Sequence, residues 1–181
     1  MVQKNKKIIR RDYLSLLVSM FLISLSACGT AVDQNGIEET ATTYVLVRHA
    51  EKANDGTKDP VLTKQGQERA ERLTQMLLPT KVDVIYSTNY QRTRQTVMPL
   101  AEKLDLEVIA YNPFDKKAFL DLQEGTQGKT VLIVGHSNTV PAMVNQLIGK
   151  EQVNQLEEDE YDKLFIVSII QKKAKVTTLS Y

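Results

Sequence analysis

Only two histidines occur in the 181 residues, and each directly follows an apolar run. "YVLVRHAEK" (44–52) ends in Arg48, His49 and Glu51, and "KTVLIVGHSNT" (129–139) carries His136. A lone histidine is usually a satisfied core or surface residue. Two, each closing a strand-like run, are harder to assign to chance, because open α/β sheets gather ligands at the carboxyl ends of their strands. Imidazole, with an ordinary pKa of about 6.5, offers a neutral nucleophile at neutral pH. Arg48 adjoins His49, and Arg92 lies in "STNYQRTRQT" (87–96). With Asn89 as helix cap, Arg92 falls in a first turn, where a cation opposes the helix macrodipole by roughly 0.3–1 kcal/mol. An anion shared between that arginine and the helix N-terminus reverses the penalty. Alone, Arg92 would read as a solvent-exposed cation. Beside Arg48 and two histidines, its planar fork suits phosphate oxygens. The chemistry within reach is phosphoryl transfer to an imidazole, which needs chiefly positioning and charge stabilisation. Arginines and a second histidine can supply that charge without a metal or cofactor.

The elements that must position these residues alternate. "YVLV", "VDVIYS", "LEVIA" and "KTVLIV" read as strands. Between the first two, Thr63 can cap a helix with the stripe Gly66, Ala70, Leu73 and Leu77. Asn89 can cap the next, with the stripe Thr93, Val97, Leu100 and Leu104 and a kink at Pro99. A third helix is expected near Asp115–Gln123. A fourth covers "NTVPAMVNQLIG", with Asn138 as cap, Pro141 in the first turn and Gly149 as the stop. "EQVNQLEEDEYDK" (151–163) reads as an acidic, solvated connection, and "LFIVSII" and "KVTTLS", joined by "QKKA", as a closing hairpin. The pattern implies an α/β fold with a mostly parallel, mixed central sheet.

The first residues belong to another class. A basic stretch, "MVQKNKKIIRR", precedes 15 uncharged residues and then "LSACGT". That order describes an export signal, and the run is shorter than the roughly 20 residues of a spanning helix. Cys28 is the sole cysteine, so no internal disulfide can form. "LSAC" resembles the bacterial lipobox, which implies diacylglycerol on Cys28 after removal of 1–27; plain secretion is the simpler alternative. The expected organisation is a signal peptide over 1–27, a lipidated cysteine and flexible tether over 28–42, and one folded domain over 43–181. Without 1–27 the net charge is −3, from 18 Lys+Arg and 21 Asp+Glu. No general basic surface remains for nucleic acid.

"VLVRHAEK", "LTKQGQERA", "STNYQRTRQT" and "VLIVGHSNT", in that order, resemble the histidine phosphatase superfamily, from about Tyr44 to Gly149. The resemblance implies a phosphoglycerate-mutase-like fold of three layers, with helices on both faces of the sheet. It also implies a phosphate pocket of Arg48, His49, Arg92 and His136, in which His49 becomes phosphorylated and the other three bind and polarise the phosphoryl group. Small phosphorylated molecules or phosphoproteins are the implied substrates, met outside the cytoplasm by a lipid-anchored protein. Ser137 after His136 excludes the branch with a His-Asp motif.

The acid that protonates the leaving group stays open among Glu51, Asp59 and Asp115. Glu51, nearest to His49 in sequence, is the first choice. "GHSNT" falls short of a serine nucleophile elbow, because Thr139 replaces the last glycine and no histidine follows Ser137. His-Glu-x-x-His spacing is absent, which weakens a metal hydrolase. A non-catalytic phosphate-binding surface lipoprotein and a phosphate mutase are the remaining alternatives.

Overall fold

The computed structural model describes residues 40–181. The signal read over 1–27, Cys28 and most of the tether lie outside the described residues. The expected end of the tether is corrected: Thr42 already opens the first strand, and its hydroxyl accepts from Gly128 N at 2.8 Å.

Six strands form one sheet: β1 (Thr42–Arg48), β2 (Val84–Ser87), β3 (Val108–Ala110), β4 (Thr130–Gly135), β5 (Lys163–Ile170) and β6 (Lys173–Ser180). Their order is β3-β2-β4-β1-β5-β6, parallel from β3 through β1 and antiparallel across β5 and β6. Four helices intervene: α1 (Lys64–Leu77), α2 (Gln91–Leu104), α3 (Lys116–Gly125) and α4 (Thr139–Ile148).

Strand side chains alternate between faces. Tyr44, Leu46, Val131 and Ile133 pack with Phe119 and Leu122 of α3 and Met143, Val144 and Leu147 of α4. Val45, Val47, Leu132 and Val134 pack with Leu73 and Leu77 of α1 and Val97 and Leu100 of α2. The central strands are therefore apolar on both faces, and three layers result. Each fully buried Leu or Ile in these clusters contributes about 1.5–3 kcal/mol.

Thr63 caps α1 as expected, its hydroxyl accepting from Gly66 N at 3.1 Å. Gly66, Ala70, Leu73 and Leu77 are all buried. Gly149, at φ 70°, ends α4.

Three expectations need correction. Asn89 does not cap α2: the helix follows an extended Tyr90, and Asp59 from a distant loop accepts from Gln91 N at 2.9 Å. The hairpin turn shrinks from "QKKA" to Gln171-Lys172, both at positive φ, which matches the strand twist of a two-residue turn. The acidic connection is not merely solvated. Asn145 of α4 donates to Glu151 Oε2 and Val153 O and accepts from Gln152 N and Val153 N, all within 2.8–3.0 Å. Leu156 is buried, and its N–H donates to Ser137 O at 3.0 Å.

Candidate active site

Sheet register builds this site. Arg48 of β1 lies opposite Gly135 of β4, so the next residues, His49 and His136, leave the sheet side by side. His49 N–H donates to Gly135 O at 3.0 Å, and the two imidazole centroids lie 5.4 Å apart. On the other side, Ser87 of β2 aligns with Val134, and the start of α2 carries Arg92 to the same edge. Gly135 is required there. A Cβ would come 2.7 Å from Thr139 Oγ1 and 3.1 Å from Val140, so a side chain would push α4 off the strand end.

His49 is 3% exposed. Its Nδ1 is 2.8 Å from Ala50 O. A carbonyl only accepts, so Nδ1 carries the proton and Nε2 keeps its lone pair. Burial is the main force on its pKa, opposed by the Ala50 bond and reinforced by Arg48, His136 and Arg92; the result is about 3. His136 is lowered to about 4, by burial first and then by Arg92 and Arg48. Both are therefore neutral at pH 7. His136 Nε2 is 3.0 Å from Thr88 Oγ1, which donates to Thr93 Oγ1 at 3.1 Å.

Arg48 is 2% exposed. Its Nη1 donates to Glu157 O at 2.7 Å and Glu160 O at 3.1 Å. Nη2 lies 3.6 Å from the Glu158 carboxylate, and the guanidinium stacks 4.1 Å from the Tyr161 ring centroid. Arg92 stacks at 4.4 Å on Tyr90, with Nη1 3.6 Å from Asp59. Arg48 Nε, Arg92 Nε and Arg92 Nη1 are buried without a hydrogen-bond partner. Buried unpaired donors on cations are costly, and an anion between the arginines would satisfy all three.

The acid candidates separate. Glu51 is committed elsewhere: Arg69 Nε donates to both carboxylate oxygens at 3.0 Å and Nη2 to Oε1 at 2.7 Å. Burial works to raise its pKa, but the Arg69 hydrogen bonds and charge outweigh burial and lower it. That corrects the first choice, since a carboxylate held ionised has no proton to give. Asp115 caps α3, accepting from Lys117 N and Ala118 N. Asp59 alone of the three touches a pocket arginine.

Sequence reasoning missed Tyr161, Glu158, Tyr90 and Thr88. Leu156 and Tyr161, apolar and aromatic residues inside an acidic run, were the available sign that 151–163 is not all solvent-facing. Among the described residues no group of three or more His, Cys, Asp or Glu side chains is placed to hold a metal ion. None of their helices is long and apolar enough to cross a membrane.

Residues 44–115 match the family model of the histidine phosphatase superfamily, branch 1. That segment, about two fifths of the chain, resembles the superfamily. Phosphoserine phosphatase 1 of Hydrogenobacter thermophilus is 41% identical over 71 residues, covering 36% of this chain. The match spans 34% of that protein's length. Among solved structures, SixA of Agrobacterium tumefaciens superposes with a TM-score of 0.59 at 20% identity, over 77% of this chain and 99% of the other. A phosphoserine phosphatase mutant of Entamoeba histolytica, solved with phosphoserine, gives 0.60 at 16%, over 75% and 95%. At these identities the likeness is one of fold: a mixed central sheet with flanking helices. His136 and the loop after α4 lie beyond the segment matched by the family model.

Proposed function

We propose that the chain is a histidine phosphatase that hydrolyses phosphomonoesters through a phosphohistidine on His49, without a metal. One observation carries the reading: three buried guanidinium nitrogens without a hydrogen-bond partner belong to Arg48 and Arg92, whose charges act on a histidine with its Nδ1 tied to a carbonyl. A phosphate held by Arg48 and Arg92 presents phosphorus to Nε2. The P–N bond forms as the P–O bond to the alcohol breaks, and the leaving oxygen takes a proton from an acid. Water then attacks the same phosphorus and gives up a proton. The P–N bond breaks, releasing inorganic phosphate and restoring imidazole. His136 and both arginines stabilise the charge on the phosphoryl oxygens. Asp59, at the pocket edge on Arg92, is the acid we assign. The names of the phosphoserine phosphatase relatives make phosphoserine the first physiological substrate to try.

The full chain in detergent should hydrolyse p-nitrophenyl phosphate in the presence of a chelator. His49→Ala should lose turnover and acid-labile phosphoenzyme; full activity in that variant would refute the mechanism. Phosphate binding without turnover in the wild type would favour a binding module. Asp59→Asn should slow alkyl phosphates more than p-nitrophenyl phosphate, whose phenolate leaves without a proton. Equal slowing would remove Asp59 from the acid role. We also propose that the protein is exported and lipid-anchored through Cys28. Radiolabelled palmitate should then label the wild type and not Cys28→Ser.

A further inference from the structure

The run Glu157–Asp162, six residues of which five are acids, has no role in phosphoryl transfer, yet it lies against the pocket. Its backbone carbonyls hold Arg48, and its Glu158 carboxylate reaches within 3.6 Å of the same guanidinium. Two of its acids are engaged. Glu160 accepts from Glu157 N at 2.9 Å and lies 4.0 Å from Lys163, and Asp162 pairs with Lys163 at 3.2 Å. Glu157 and Asp159 have no cationic partner among the described residues. Glu158 has only Arg48, and its side chain is 86% exposed. Across the pocket, Asp59 stands 41% exposed over Arg92.

This arrangement is contradictory for a simple phosphate site. Arg48 is almost wholly buried and its unpartnered Nε calls for an anion. A phosphate dianion placed there would meet the field of Glu158 and its neighbours. The conflict disappears if the ligand brings its own cation on the solvent side of the phosphate. We propose that the segment Glu157–Asp159 forms an ammonium subsite, and that the substrates are phosphomonoesters of short amino alcohols. This rests on the phosphatase reading above and narrows its substrate class. The phosphate pairs with Arg48 and Arg92, and the ammonium group with Glu158 and its unpartnered neighbours. A carboxylate on the alcohol half, as in phosphoserine or phosphoglycerate, faces those acids and weakens binding.

The test compares kcat/KM of the full chain in detergent for phosphoethanolamine, propyl phosphate, phosphoserine and 3-phosphoglycerate, with p-nitrophenyl phosphate as the control for phosphatase action. At low salt, phosphoethanolamine should exceed propyl phosphate, whose alcohol half is uncharged, about twofold to fivefold, the scale of exposed charge pairs. Phosphoserine should fall between them and 3-phosphoglycerate last. Glu157→Gln, Glu158→Gln and Asp159→Asn combined should bring the first ratio close to unity, and so should about 0.5 M NaCl, which screens exposed charges. Equal rates for phosphoethanolamine and propyl phosphate in the wild type would overturn the subsite, as would a preference that survives the triple variant. If p-nitrophenyl phosphate is not hydrolysed, the phosphatase reading fails instead. Calorimetric binding of phosphoethanolamine against propyl phosphate then decides the subsite by the same ratio.

Discussion

The two sides of the proposed phosphate pocket are built differently. Arg48 is gripped by backbone: two carbonyls from a loop more than a hundred residues away, with the Tyr161 ring on its face. Arg92 is a first-turn helix residue, stacked on the nearby Tyr90 and steadied by a carboxylate at 3.6 Å. The histidines follow the same division. His49, beside Arg48, is the more deeply desolvated and is lowered to about 3, whereas His136 is lowered to about 4. One side is organised by long-range closure and the other by local helix geometry. Folding energy and catalytic geometry are therefore coupled more tightly on the Arg48 side.

Replacing each arginine probes that difference most strongly. Arg48→Ala and Arg92→Ala should each lower kcat/KM by about 10²–10³, the scale of losing a preorganised charge donor. Only Arg48→Ala should also lower Tm, because it strips the loop of its partner; equal Tm losses in calorimetry would break the comparison.

Acid pH comes next. Folded His49 and His136 resist protonation down to about 3 and 4, while the unfolded chain takes up protons near 6.5. The unfolded state thus binds more protons between those values, so stability should fall as pH drops from about 6.5 toward 4. Above 6.5 this contribution is flat. The unfolding free energy from denaturant titrations should fall by about 5 kcal/mol across that range. On acidification of the intact fold, NMR should show His136 titrating before His49; the reverse order would invert the two sides.

Asn145→Ala removes four hydrogen bonds that start the acidic loop. It should cost about 2–3 kcal/mol of stability and weaken substrate binding through Arg48. The observable is a higher KM with kcat little changed, and it would sharpen the idea that the loop positions Arg48. Smallest is Asp59→Ala, a lost helix cap worth about 1 kcal/mol. Asp59→Asn should keep that cap, and thermal melts of the pair separate the two contributions.

Much of this was legible beforehand. The apolar runs mark every parallel strand, and Thr63 with its four buried stripe residues marks α1. Arg48, His49, Arg92 and His136 could be named because strand ends and motif spacing are local signals. Asn89 failed as a cap because Asp59, 30 residues earlier, took over the Gln91 N–H. Glu51 misled because closeness to His49 in sequence says nothing of Arg69, which reaches it from α1. The acidic run misled because its charges describe side chains, while its contact with Arg48 is made mainly by carbonyls.

By itself the sequence determined the alternation of strands and helices and singled out Arg48, His49, Arg92 and His136, the four residues proposed to hold and accept a phosphoryl group. It did so because apolar periodicity and turn chemistry act over a few residues. Tertiary structure alone decided that Arg48 meets Gly135 in register, which carboxylate stands at the pocket and which is locked in an ion pair, and that an acidic loop leans on the buried arginine. Those outcomes depend on long-range closure and on backbone carbonyls, which every residue carries and no residue type advertises.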